Sequence, residues 1–195
     1  MAWERIDDHL SFNRELHQFK IDGTPVPSVT QILKGAGIID DRWFSEYSAT
    51  RGTLIHQTCE LYDLGDLDEE TLDPVLAGYL AGWKKFRDET EFVQTQIESP
   101  VYNIGLQYAG ILDRVGYVND ENTLIDIKSG AVPWWVGLQL AAYASCLYPP
   151  FTGDRLAVQL SQDGTWKPHY FNNRQDWKDF QACLHVEHLK RRNRL

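Results

Sequence analysis

Apolar residues recur along this chain at two spacings. Leu76, Leu80, Trp83 and Phe86 follow the spacing of a helix face and predict a helix over about residues 70–87. Ser28 is placed to cap a short helix through Leu33, which Gly35 and Gly37 would end. Further helices are expected from about Trp43 to Tyr62, from Trp134 to Leu147 and from about Arg174 to Arg192. The middle of the chain reads as strands: EFVQTQIESPVYN, YAGILDRVGYV and NTLIDIK, the last two joined by VNDENT, which carries turn chemistry. Asp22-Gly23 marks a hairpin turn within HQFKIDGTPVPSVT, and Asp163-Gly164 joins RLAVQLS to TWKPHYF. This order predicts an α/β or α+β fold with a mixed central sheet flanked by helices.

The length of 195 residues fits a single domain over 1–195, with 1–42 as an N-terminal hairpin-and-helix elaboration. A chain of this size hides about 70% of its unfolded surface. Hydrophobic residues at 43% and charged residues at 24% match an ordinary globular protein and argue against disorder or a coiled coil. No apolar run reaches the ~18 residues of a membrane span, and the opening MAWERIDDHL lacks a signal-peptide core. The expectation is a protein of the cytoplasm, with no membrane partner. Cys59, Cys146 and Cys183 are scattered and form neither a disulfide framework nor a metal-type spacing. The net charge of −9 excludes binding of nucleic acid by bulk charge but leaves room for a local basic channel.

The strand pair around VNDENT brings chemistry together. A four-residue loop, Asn119 to Asn122, would pair Val118 with Thr123 and set Asp113 opposite Lys128. Asp113, Asp126 and Lys128 would then project from one face, with Ile125 and Ile127 on the other, against a helix-covered core. An Asp–Lys pair on a surface is worth at most about 1 kcal/mol. Asp126, however, lies in a largely apolar strand, where an acid is costly unless paired or metal-bound. Hard oxygen ligands on neighbouring strands suit Mg²⁺ or Mn²⁺. Such an ion polarises a phosphoryl oxygen and acidifies a water, and a lysine stabilises developing charge, a design for phosphodiester hydrolysis.

Four ordered segments, RGTLIH (Arg51 to His56), AGILDRVG with its GxxD from Gly110 to Asp113, LIDIKSG with its DxK, and QLAAY (Gln139 to Tyr143), resemble the RecB-like branch of the PD-(D/E)XK nuclease superfamily. That branch includes CRISPR-associated, mitochondrial genome-maintenance and phage exonucleases. The resemblance implies a restriction-endonuclease-like core and one or two Mg²⁺ or Mn²⁺ ions. It would make His56, Asp113, Asp126 and the main-chain carbonyl of Ile127 the metal ligands, and Asp113, Asp126 and Lys128 the catalytic set. Arg51, Gln139 and Tyr143 would face DNA or hold the catalytic geometry. It further implies a DNA exonuclease acting on single-stranded or duplex ends, with a recombination or replication protein as a possible partner. A structure-selective or site-specific endonuclease and a catalytically inactive DNA-binding subunit of a repair complex are the alternatives. Only three cysteines are present, so no iron–sulfur cluster is expected.

Several residues outside these motifs have two readings. Glu60, one turn from His56, would orient the imidazole or face solvent. Glu98 would share the face of Asp113 if Tyr102 to Gly105 form a turn, but several residues away and beyond a shared ion. Trp134 and Trp135 form a possible lip for base stacking. Lys84, Lys85 and Arg87, and the tail Lys190, Arg191, Arg192 and Arg194, are basic clusters at helix ends, where cations are favourable in any case. His169, His185 and His188 read as structural.

Overall fold

The computed structural model describes residues 3–40 and 46–193. The first strands, β1 (Glu4–Arg5), β2 (Leu10–Asn13), β3 (Gln18–Ile21) and β4 (Thr24–Val26), form a four-stranded antiparallel sheet in chain order. The Asp22-Gly23 turn is where the sequence places it: both residues have positive φ, and Ile21 pairs with Thr24. The two strands before it are short. Leu10 and Phe12 alternate with Ser11 and Asn13 over only four residues, too brief a period to read from sequence. Leu10, Phe12, Phe19, Ile21 and Val26 bury one face of this sheet against Ala109.

Helix α1 (Val29–Gly35) starts at Ser28, whose side chain accepts from the Gln31 amide while the Gln31 side chain accepts from the Ser28 amide. Helix α2 (Glu46–Leu64) ends near the expected point; Trp43, its expected start, lies outside the described residues. Helix α3 (Pro74–Glu89) begins later than expected because Asp73 caps it and Pro74 occupies its first position. A separate 3-10 turn covers Glu69–Thr71.

The main sheet has five strands in chain order: β5 (Val93–Asn103), β6 (Tyr108–Val118), β7 (Glu121–Lys128), β8 (Asp154–Leu160) and β9 (Trp166–Tyr170). All neighbours are antiparallel except β7 and β8, which run parallel and are connected through α4 (Val136–Ala144). Helix α4 stops short of Leu147, and its last carbonyls are taken up by tighter turns at Cys146 and Leu147 ahead of Pro149 and Pro150. Helix α5 (Gln175–Asn193) closes the chain. On one sheet face, Ile55, Leu80, Trp83 and Phe86 of α2 and α3 meet Ile125, Ile127, Leu156 and Val158. On the other, Ile32, Leu140 and Phe180 of α1, α4 and α5 meet Leu112, Val115, Leu124 and Ala157. The fold is therefore mixed α+β, a central mixed sheet between two helical layers with a second sheet beside it. No helix of the described residues is long and apolar enough to cross a membrane.

The β6–β7 register differs from expectation. The loop is two residues, Asn119 and Asp120, both at positive φ, and Val118 pairs with Glu121. Asparagine and aspartate tolerate the left-handed conformation of a tight hairpin turn, so the shorter loop closes. The shift is even, so every side chain keeps its face. Asp113 now lies across from Asp126, one step beyond the last paired residues, Arg114 and Ile125.

Candidate active site

The β6–β7 ladder ends at Arg114 and Ile125, and a side chain replaces the backbone bonds beyond it. Asp113 Oδ2 accepts from the Ile127 amide at 2.6 Å. Helix α2 lays His56 over this fork. Its Nε2 lies 2.9 Å from the Ile127 carbonyl oxygen, while Nδ1 faces Asp113 Oδ2 at 3.5 Å and Glu98 Oε1 at 3.7 Å. One ligand atom each from His56, Glu98 and Asp113 lies within 4.8 Å of the others.

Glu98 is closer than its sequence position suggests. The β5–β6 turn sits two residues later than Tyr102 to Gly105, with Asn103 paired to Tyr108. The pairs Ile97–Arg114 and Ser99–Leu112 flank Glu98 and set it across from Asp113. Glu98 has φ of 40°, a left-handed conformation uncommon for a side-chain-bearing residue. Its carboxylate accepts from Arg114 Nη1 at 2.9 Å.

Behind the cluster runs a charged network that the sequence reading missed. Arg114 is fully buried; its Nε donates to Asp63 Oδ2 at 2.7 Å and its Nη1 also to the Asp113 carbonyl at 2.7 Å. Asp63, two turns after His56 on α2, also accepts from Trp83 Nε1 at 2.9 Å and from Arg87. Glu60, on the same helix, forms no hydrogen bond or ion pair among the described residues. The spacing of His56 and Asp63 was readable; a buried arginine on β6 to receive Asp63 was not.

Asp126 and Lys128 stand beside the cluster on β7. Lys128 Nζ pairs with the buried Asp126 Oδ2 at 2.6 Å. Lys128 Nζ also lies 6.0 Å from the centre of the Trp135 ring. Burial raises both aspartates above the ordinary carboxylate range, and it does so although His56 and Lys128 pull Asp113 down and Lys128 pulls Asp126 down. Burial opposes charge on His56, but the Asp113 charge and the Glu98 carboxylate override it and push the imidazole up to about 9.

Gln139 and Tyr143 do not face solvent. They are 7% and 5% exposed, with Gln139 Nε2 at 3.4 Å from Tyr143 Oη. Burial, with the Asp113 and Asp126 charges, raises the Tyr143 phenol. A Cβ on Gly110 would lie 2.6 Å from the Tyr143 ring, so the glycine of the GxxD segment gives this ring its seat against β6. Arg51 lies between the rings of Tyr47 and Tyr79, at 5.7 and 6.0 Å, and its Nε is buried without a partner. It lines a cavity of about 230 Å³ with Leu54, Val75 and Leu76. The next residue, Gly52, passes close to Ser129, which follows Lys128. A cavity of about 580 Å³ at the far end of α4, lined by Phe151, Arg155 and Trp177, includes none of these residues.

The basic clusters are largely committed elsewhere. Lys84 pairs with Glu69, Arg87 with Asp63 and Arg191 with Glu187, and Lys190 donates to the Gly35 carbonyl at the end of α1. Arg194 lies outside the described residues.

The donor set suits a divalent cation. Two carboxylates, of Glu98 and buried Asp113, converge with one imidazole, and the buried Asp126 carboxylate stands beside them, paired with Lys128. The expected set was His56, Asp113, Asp126 and the Ile127 carbonyl. The structure brings Glu98 to His56 and Asp113, turns the Ile127 carbonyl to His56, and sets Asp126 against Lys128.

No protein-family model matches this chain, and no curated protein matches it. Among solved structures, the chain is similar to LHK-Exo, an exonuclease by name, crystallised in complex with dAMP. The likeness covers 86% of this chain and 93% of that one, at 12% identity and a TM-score of 0.42.

Proposed function

We propose that this protein is a Mg²⁺- or Mn²⁺-dependent deoxyribonuclease of the PD-(D/E)XK type, acting as an exonuclease. The observation that carries the reading is the convergence of His56, Glu98 and Asp113 at the mouth of the β6–β7 fork, beside the Asp126–Lys128 pair. His56, Glu98, Asp113 and Asp126 are the residues that would hold the metal. When bound, a divalent ion polarises the phosphoryl oxygens and acidifies a water.

The chain's own residues supply the rest. Lys128, restrained by Asp126 and sited beside Trp135, places a positive charge where negative charge develops at phosphorus. The Arg114–Asp63 pair fixes Glu98 from behind. Gln139 and Tyr143, buried on the α4 side, hold the shape of the fork rather than reach for DNA. Arg51, half-buried in the first turns of α2 between Tyr47 and Tyr79, is the candidate contact for a phosphate. Resemblance to RecB-like exonucleases favours action from ends, within a single unit that includes the N-terminal sheet.

The test is hydrolysis of labelled linear and circular DNA with Mn²⁺. The wild-type protein degrades linear DNA and leaves a closed circle intact, while Asp113→Asn and Lys128→Met lose activity by at least about a hundredfold. Cleavage of the circle makes the enzyme an endonuclease. Equal activity in the variants removes the site.

A further inference from the structure

The face of the sheet that carries Asp126 and Lys128 continues past β7. Register places Asp126 beside Ala157 and Lys128 beside Gln159, then Ala157 beside His169 and Gln159 beside Lys167. Partners across a sheet share a face. His169 and Lys167, on the outermost strand, therefore point to the same side as the Asp126–Lys128 pair.

This strip is ordered. Gln159 Nε2 donates to the Gly130 carbonyl at 2.8 Å, fastening the loop that leaves Lys128 for α4. Gln159 Oε1 is then the acceptor for His169 Nε2 at 2.9 Å, which fixes the proton on that ring nitrogen. On the opposite side of β9, Trp166 packs edge-on to Phe86 of α3, with ring centres 5.0 Å apart. Helix α4 packs over β7 and β8. Lys167 is exposed and, among the described residues, forms no close ion pair, its charge acting at longer range on Asp163 of the β8–β9 turn. Neighbouring strands are about 4.8 Å apart, so Lys128 and Lys167 are about 10 Å apart at the backbone, a gap that extended lysine side chains shorten. In a chain of net charge −9, an exposed cation on the face of the candidate site is a feature that bulk charge does not explain.

We propose that this strip is the subsite for the phosphate adjacent to the scissile one. Lys167 takes the charge of that phosphate, and Gln159 and His169 form the floor beneath the intervening sugar. The proposal rests on the nuclease reading above and names the path of its substrate.

The experiment measures kcat and KM on single-stranded oligonucleotides that each carry one neutral methylphosphonate at a different linkage. With wild-type protein, neutralising one linkage next to the cleaved one lowers kcat/KM by about tenfold. Lys167→Ala loses about the same factor on the all-phosphate strand, through KM, and the neutral linkage then costs it nothing more. Lys167→Arg restores the dependence. A lysine that only guards an exposed sheet edge gives Lys167→Ala the wild-type KM, and that result overturns the strip. So does a methylphosphonate penalty that persists undiminished in Lys167→Ala. A wild-type protein that cleaves no DNA with Mg²⁺ or Mn²⁺ overturns the nuclease reading itself.

Discussion

Arg114→Met removes the cation behind the candidate metal cluster while keeping a flexible stem of similar length over Trp83. The guanidinium is fully buried and bonds Asp63 at 2.7 Å, Glu98 at 2.9 Å and the Asp113 carbonyl at 2.7 Å. A hydrogen bond to a charged group contributes about 1.5–3 kcal/mol, and breaking a buried ion pair costs about 3–5 kcal/mol. Two facts reduce the loss. Asp63 keeps Trp83 and Arg87 as donors, and the wild-type Nη2 has no partner, so its burial already costs stability. The expected destabilisation is about 3 kcal/mol, or about 10 °C in melting temperature for a chain of this size. Urea unfolding of the metal-free protein, followed by circular dichroism, measures it. Asp63→Asn in the same background gives the coupling: the double variant loses less than the sum of the singles. A loss under about 1 kcal/mol would refute the view that this arginine holds the acids together. Glu98 also loses its anchor in Arg114→Met, so Mn²⁺ affinity falls by about tenfold.

Gly110→Ala forces a methyl group to 2.6 Å from the Tyr143 ring; a cost of about 1–3 kcal/mol is expected by thermal unfolding, and a neutral result removes the packing role of that glycine. His56 is raised from 6.5 to about 9 in the metal-free fold, so its contribution to stability is complete below pH 6.5 and disappears as pH rises through about 9. A ligand imidazole must be neutral, so Mn²⁺ binding at pH 7.5 releases close to one proton, seen as a dependence of calorimetric heat on buffer ionisation, and His56→Asn abolishes it. Base stacking on Trp134, 63% exposed just ahead of α4, predicts that Trp134→Ala weakens single-stranded DNA binding in Ca²⁺ by about tenfold; unchanged affinity assigns the ring no such role.

The fold was legible where periodicity was long and punctuated. The three central strands, the β8–β9 hairpin and the capped α1 follow directly from alternation and from Asp-Gly and Ser signals. Asp113, Asp126 and Lys128 came together although the loop was two residues shorter than expected, because an even shift preserves the face. What was hidden depended on turns and on long-range partners. Glu98 moved into the cluster through a turn two residues later than assumed and a left-handed residue in a strand, neither of which a local pattern announces. Arg114 alternates on its strand like any residue of the opposite face; only the fold shows Asp63 meeting it. Gln139 and Tyr143 read by motif as residues that face DNA or hold the catalytic geometry, and only the depth of α4 in the core shows that they lie below the surface.

The most direct test of the metal centre is a crystal of the protein soaked in Mn²⁺ and measured with X-rays at the manganese absorption edge. The expected result is an anomalous peak in direct coordination with His56, Glu98 and Asp113, with Asp126 and Lys128 beside it. A peak elsewhere, in a protein that cleaves DNA, would contradict it.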